Sequence, residues 1–471
     1  MKIVLVNVAS KFGSIKSESA WPPLGVLYLK TLLEQKSNEV YLFDQAPENA
    51  SVKTTVNWIL KKNPEIVGLS TLASSGIMAS KISELLKEQN SDIKIVWGGM
   101  HATFNDKRIL SKYNSVDFIV KKEGEQTFLE LVDSIEKNNN FKDIKGITFK
   151  NNGKIISTPD RSLINDLDAL PFPDRSSLRL KYTSELNGII FSQNFTSILS
   201  SRGCPFSCTF CSCSSFTERF WRSRSPENIV DELELLMNQG YDQVVFVDDN
   251  FTLNQKRVIK ICKLMKERKI KIDWFCEGRV DQSSFEMLKH MKKSGCKAVY
   301  LGIESANERI LKYYNKKISL SQSKKAVRNA KKVGLNVIGT FIVGAPTESE
   351  NEIKKTLSFA QKLDVDFPQF NILGVTSGMP IWNELRDKGY INESQSWEKH
   401  LLVPNIFPGH VPTGKIKQMI KEGYKQFLFR KNFILEQVYK TLTNSFRIKV
   451  VMRNIHNKNL KNVSKMYDSI Y

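Results

Sequence analysis

Short runs rich in valine and isoleucine alternate with amphipathic stretches along most of this 471-residue chain, and that alternation admits few folds. Strands separated by helices pair in parallel and need cover on both faces of the sheet. Over residues 1–140 strands are expected at Lys2–Val8, Glu39–Phe43, Glu65–Ser70, Ile93–Trp97 and Val116–Val120. Helical spacing falls between them at Leu24–Gln35, Val52–Lys61, Ala79–Glu88 and Lys107–Lys112, and after them at Glu125–Glu136. The reading is an α/β, doubly wound, Rossmann-like domain. Its ligand belongs across the carboxyl ends of the strands, where Asn7, Ser70, Thr71, Gly98, Gly99, Glu123 and Gly124 fall.

Residues 141–190 break the pattern. Prolines flank Phe172, and the stretch reads as an extended linker. A second alternating run fills 191–385, with strands expected at Ser197–Ser200, Gln243–Val247, Lys271–Phe275, Ala298–Ile303, Val337–Val343 and Gln369–Leu373. Helices fit Pro226–Asn238, Gln255–Glu267, Ser283–Lys293, Leu320–Lys332 and Glu348–Leu363. Such a succession suits a partial (β/α)6 barrel, whose working face is the carboxyl rim of its strands. Residues 386–471 read as a small, α-rich, basic region, with an amphipathic helix near Ile420–Leu442. That helix is expected to dock on the barrel, with contact to an anionic membrane surface as the alternative use of its basic face.

Charge supports an anionic partner for this last region. Lys and Arg number 70 against 49 Asp and Glu, a net of +21. From Lys415 onward thirteen Lys or Arg face Glu422, Glu436 and Asp468, a net of +10 in 57 residues. Met1 to Asn7 reads as a buried strand rather than a signal peptide, and no apolar run approaches the ~18 residues of a spanning helix. The expectation is a cytoplasmic protein, peripheral to a membrane at most. Seven cysteines, an odd number, fit a reducing compartment better than a disulfide framework. Cys262, Cys276 and Cys296 read as packing residues, and Cys213 as a bystander to its neighbours.

Those neighbours, Cys204, Cys208 and Cys211, lie in the run Gly203-Cys-Pro-Phe-Ser-Cys-Thr-Phe-Cys211, directly after the first barrel strand. Three thiolates at Cys-x3-Cys-x2-Cys spacing on one loop can each hold an iron of a 4Fe–4S cluster, leaving the fourth iron open for chemistry. With Phe210 before the last cysteine, the loop resembles the signature of the radical S-adenosylmethionine enzymes. That resemblance implies that the open iron chelates S-adenosylmethionine, whose reductive cleavage gives a 5′-deoxyadenosyl radical. It also implies ligand contacts at the later strand ends. Asp248, Asp249 and Asn250 would meet the amino group and Arg279 the methionyl carboxylate. Glu304 would meet the ribose or amine, and Gly339 and Gly344 the adenine. An external electron donor such as ferredoxin or flavodoxin is implied too.

The first domain resembles the cobalamin-binding domain fused to many such enzymes. Pro22-Pro-Leu-Gly25, Trp97-Gly-Gly-Met-His-Ala-Thr103 and Lys122-Glu-Gly-Glu-Gln-Thr-Phe128 carry the likeness. It implies cobalamin near Ser70, Thr71, Gly98, Gly99, Glu123 and Gly124. No histidine follows the first strand to ligate cobalt, a departure that this fused class tolerates. His101 is expected to hydrogen-bond at a loop start rather than bind metal. The expected activity is methylation, or carbon–carbon bond formation or cyclisation, at an unactivated carbon of a small-molecule or lipid-like substrate. The class includes the anaerobic magnesium-protoporphyrin ester cyclase. A tRNA methylthiotransferase is the nearest rival, but it needs three cysteines in the first domain, and none precedes Cys204. A non-catalytic iron–sulfur or zinc module binding nucleic acid is the remaining alternative; nucleic acid is disfavoured as a partner.

Overall fold

The computed structural model describes residues 1–10, 21–176, 178, 182, 184–186, 189–192, 194–407 and 410–430, with scattered single positions beyond. The chain forms two units. The first comprises Met1–Leu180, Ser215–Glu218 and Thr376–His400; the second comprises Lys181–Ser214, Arg219–Val375 and Leu401–Tyr471.

In the first unit, strands β1 (Lys2–Asn7), β2 (Glu39–Asp44), β3 (Ile66–Ser70), β4 (Lys94–Gly98) and β5 (Phe118–Val120) pair in parallel. Helices α1 (Leu24–Gln35), α2 (Val52–Leu60), α3 (Gly76–Gln89), α4 (Met100–Phe104), α5 (Asp106–Lys112) and α6 (Glu125–Lys137) join or follow them. Ile3, Val4, Leu5 and Val6 are all buried, as strands covered on both faces must be. The sheet order is β2-β1-β3-β4-β5, followed by β6 (Ile147–Asn151) and β7 (Lys154–Ser157). Winding reverses between β1 and β3, which opens a crevice at the carboxyl ends of those two strands.

The hairpin β6–β7 lies in the stretch read as linker. Its two-residue turn is Asn152-Gly153, with φ of +48° and +76°, the left-handed pair that a tight antiparallel hairpin requires. A second short antiparallel pair, Ser184–Leu186 with Ile189–Ser192, also falls there, in the second unit. Residues 376–400, assigned from sequence to the barrel and the basic region, complete the first unit. Trp397 stacks on His101 at 5.8 Å, Asn105 Nδ2 donates to Ser377 Oγ at 2.7 Å, and Glu398 binds Lys112 and Tyr113.

In the second unit, β8 (Phe195–Ile198), β9 (Gln243–Phe246), β10 (Asp273–Arg279), β11 (Cys296–Glu304), β12 (Asn336–Val343) and β13 (Phe367–Ile372) form a parallel sheet in consecutive order. That order is the partial barrel. Its helices are α7 (Pro226–Asn238), α8 (Gln255–Glu267), α9 (Phe285–Lys293), α10 (Glu308–Tyr313), α11 (Leu320–Lys332) and α12 (Glu350–Lys362). Ser225, Asn254, Ser284, Ser319 and Ser349 cap five of them, each cap contributing ~1 kcal/mol. The outward strand residues Phe246, Trp274, Cys276, Leu301 and Phe341 share one core with Ile229, Leu233, Ile261 and Met287 of the helices. Cys262, Cys276 and Cys296 are buried in that core, which is the packing role expected of them.

The amphipathic helix begins earlier than its pattern indicated. As α13 (Thr413–Leu428) it buries Ile416, Met419, Ile420, Tyr424 and Phe427 against the barrel core. The Phe370 N–H donates to Tyr424 Oη at 3.1 Å. Most of the expected span beyond residue 430, and the loop after β1 from residue 11, lie outside the described residues. Among the described residues no helix is long and apolar enough to cross a membrane.

Candidate cofactor sites at the strand ends

The chain leaves β8 on the carboxyl rim and enters the cysteine loop over an acidic footing. Asp248, just past β9, is 1% exposed and accepts hydrogen bonds from the Ser200 N–H (2.8 Å) and the hydroxyls of Ser200 (2.6 Å) and Ser201. Burial raises its carboxyl above the usual range against the pull of Arg257. Asp249 accepts from the Gly203 N–H at 2.9 Å, where φ is +87° and the loop turns sharply. Cys208 is buried, and Cys204 and Cys211 are half-buried.

Two cations face these thiols. Arg279 Nη1 lies 3.9 Å from Cys208 Sγ. Burial raises the Cys208 thiol, and Lys316 and Arg279 pull it back. Burial likewise raises Cys204. Cys211 is brought down to about 7 by a hydrogen bond from Cys213, whose own thiol is raised in return. Thiolates form readily beside cations, and thiolates are what bind iron. Among the described residues no three His, Cys, Asp or Glu side chains converge as they would around a single ion. Three thiol donors on one loop are a donor set that fits a 4Fe–4S cluster, one thiolate to each of three irons.

The remaining barrel candidates separate into open and engaged groups. Asp249 is exposed on the rim, whereas Asp248 is spent on Ser200 and Ser201. Asn250, 1% exposed, donates to Gln282 Oε1 at 2.8 Å and accepts from Thr252 at 3.2 Å. Arg279 was expected at a ligand carboxylate. It instead grips Asp281 at 3.0 Å and the Lys316 carbonyl at 2.7 Å, a buried brace beside the cysteine loop. Glu304 is buried at φ +63° and pairs with Lys316. Gly339 points outward: a Cβ there would come within 3.0 Å of Ile303 and Val365, so core packing explains this glycine. Gly344, at φ +90°, makes the turn after β12.

Glu348 was missed. It is 2% exposed, and its Oε2 accepts from the Gly344 N–H (2.6 Å) and the Ala345 N–H (3.0 Å), while Oε1 has no partner. Burial pushes its carboxyl up to about 7. The signal was present: a glutamate four residues past a turn glycine, just before the capping Ser349, can fold back onto the turn's amides.

In the first unit the expected residues gather in part. Thr71, following β3, is 1% exposed and donates from N (2.9 Å) and Oγ1 (2.8 Å) to the Gly98 carbonyl at the end of β4. Gly99 has φ +92°, and a Cβ there would sit 2.6 Å from the Thr71 carbonyl oxygen. Ser70 ends β3 beside them. Glu123 instead accepts from the Ile164 N–H at 2.7 Å, and Gly124 is the N-cap residue just before α6. His101 is buried, its imidazole brought down to about 4 by burial, with Asn105 Nδ2 3.4 Å from Nδ1. Leu72, unremarked in the sequence, is 57% exposed on the same rim.

Comparison with known proteins agrees with the fold of both units. Residues 198–360 match the radical SAM superfamily and residues 11–132 the B12 binding domain. The chain is 34% identical to an uncharacterized methyltransferase of Pyrococcus horikoshii, over 97% of this chain and 98% of that one. It is 28% identical to the anaerobic magnesium-protoporphyrin IX monomethyl ester cyclase of Cereibacter sphaeroides, over 92% and 71%. Among solved structures, the radical S-adenosylmethionine methyltransferase TsrM of Kitasatospora setae shares the fold, with TM-score 0.68 and 17% identity over 82% of this chain and 75% of that one. The cobalamin-dependent enzyme OxsB does so at TM-score 0.66 and 20% identity, over 90% and 61%. The chain is an enzyme of the radical S-adenosylmethionine superfamily, in the branch that carries a B12 binding domain ahead of the barrel.

Proposed function

We propose that this enzyme methylates an unactivated carbon of a small-molecule substrate, using S-adenosylmethionine, a 4Fe–4S cluster on Cys204, Cys208 and Cys211, and cobalamin. The observation that carries the reading is the cysteine loop itself, three thiols on the barrel rim with Arg279 and Lys316 beside Cys208. When bound, the cluster would supply the electron that splits S-adenosylmethionine into methionine and a 5′-deoxyadenosyl radical, and cobalamin would supply methyl carriage. Methylation is favoured over cyclisation by the 34% identity to a methyltransferase across nearly the whole chain.

The protein's own residues bind and orient. Exposed Asp249 is the candidate for the ligand's amino group, and the buried Glu304–Lys316 pair backs the same rim. The Gly344–Ala345 turn, fixed by Glu348, offers backbone to the adenine. Thr71, Gly98 and Gly99 offer a close backbone surface for the corrin. Electrons would come from a ferredoxin or flavodoxin. The basic region past Lys415 would meet an anionic surface, an idea supported by exposed Leu435, Val438, Tyr439 and Leu442.

The test is anaerobic incubation of reconstituted protein with reductant, S-adenosylmethionine and cell extract, with mass spectrometry of the products. Methylation predicts a gain of one methyl group; a loss of two hydrogens instead would mark a cyclase. Cys208→Ala should abolish 5′-deoxyadenosine formation, and retained cleavage would defeat the cluster assignment.

A further inference from the structure

Between Cys204 and Cys211 the loop has no helix or strand to hold its shape. A turn at the end of α10, Tyr313 to Lys316, does so instead. The Thr209 N–H donates to the Tyr314 carbonyl at 3.0 Å, and its hydroxyl donates to the Tyr313 carbonyl at 3.1 Å. Asn315 Nδ2 donates to both the carbonyl (3.0 Å) and the hydroxyl (2.8 Å) of Ser207. The Phe210 ring meets Tyr314 edge-on at 5.1 Å. Arg279, held by the Lys316 carbonyl, lies 3.7 Å over the ring of Phe206. Four of the loop's residues are therefore gripped by this turn or through it.

Asn315 is the hardest of these to replace. Its φ is +48°, a left-handed conformation that asparagine tolerates and most side chains resist. Its amide also supplies two donor hydrogens at once. Aspartate matches the shape but can only accept, and glycine matches the backbone but brings no amide.

We propose that Asn315 is a positioning residue for the cluster loop. It fixes Ser207, and with it the separation of Cys204 and Cys208, before any metal arrives. This rests on the cluster reading above. Asn315 acts through Ser207 and touches neither ligand nor iron. A loop held in place beforehand spares cluster binding the cost of ordering it, and it keeps the three thiolates from drifting when iron is briefly lost.

The test compares the full-length wild type with Asn315→Asp and Asn315→Gly, each reconstituted anaerobically with iron and sulfide. Both variants should take up iron but release it to a chelator roughly tenfold faster, the equivalent of one good hydrogen bond. The electron paramagnetic resonance signal of their reduced cluster should be broadened, a change that general destabilisation would not produce. In the metal-free wild type the Thr209 amide should exchange slowly with solvent, and in Asn315→Asp quickly. Iron release and spectra equal to wild type in both variants would overturn the proposal. So would rapid exchange at Thr209 in the metal-free wild type, a result that holds even if neither variant folds. A wild type that takes up no iron would sink the cluster reading itself, which is distinguishable from wild type and Asn315→Asp loading alike.

Discussion

Lys316 Nζ stands 2.6 Å from Glu304 Oε1 with both side chains more than nine-tenths buried. The chain bends to make this pair. Glu304 sits at φ +63°, and the register between β11 and β12 slips between Gly302 and Glu304. A Cβ on Gly302 would fall 2.6 Å from Glu304 Oε1 and 2.7 Å from Lys316 Nζ, so glycine leaves the space both charges occupy. Strain of this kind collects at functional sites.

Removing one charge strands the other. Lys316→Met should destabilise the barrel by about 3–5 kcal/mol, whereas Lys316→Met with Glu304→Gln should recover most of that loss. Urea unfolding of the two variants checks it; equal midpoints for the single and double variants would show that the pair is not coupled.

Glu348 sets a pH dependence whose sign is fixed by its burial. Its carboxyl is raised from 4.5 to about 7, so the folded protein holds this proton more tightly than the unfolded chain does. The contribution is full below pH 4.5 and is lost as the pH climbs towards about 7. Glutamine can accept the same hydrogen bonds from the Gly344 and Ala345 amides without ionising. Glu348→Gln should therefore flatten the fall in stability between pH 5 and 7 without lowering stability at pH 8. Parallel slopes for the two proteins would contradict the assignment.

The distribution of what the sequence revealed follows from physics. Both layered units were legible because Ile3 to Val6 and the outward lanes of the barrel are buried, and burial writes periodicity into sequence. Helices α7, α8 and α11 carried polar caps at their first turns, and their bounds were legible to the residue. The hairpin at 147–157 was not, because Lys150, Asn151 and Lys154 dilute its alternation, although Asn152-Gly153 announced the turn. Nor was the fate of residues 376–400, since returning to the first unit depends on single contacts such as Trp397 on His101. Among the candidate residues, spacing singled out Cys204, Cys208 and Cys211, but residue type alone could not divide exposed Asp249 from buried Asp248.

Gly99 offers a separate test of the first unit. Its φ of +92° is left-handed, and its Cβ would meet backbone, the Thr71 carbonyl at 2.6 Å, rather than a side chain that could move aside. Gly99→Ala should cost roughly 1–3 kcal/mol and part the Thr71 and Gly98 loops. Protein purified with hydroxocobalamin should then retain less corrinoid through gel filtration. Undiminished retention would place the corrin elsewhere.

Leu72 separates binding from stability. The loop holds its backbone tightly, with the Leu72 N–H donating to Ser75 Oγ at 2.9 Å and the Leu72 carbonyl accepting from the Ser75 N–H at 2.9 Å. The apolar side chain is nonetheless 57% exposed. An exposed leucine of this kind contributes little to folding, so Leu72→Asn should change stability by less than about 0.5 kcal/mol. If that side chain lies against the corrin ring, the same substitution removes an apolar contact of about 1–2 kcal/mol. Corrinoid retention should then fall several-fold at an unchanged melting temperature. A variant that melts and retains corrinoid like the wild type would remove Leu72 from the contact surface; lost retention with a lowered melting temperature would point to folding instead.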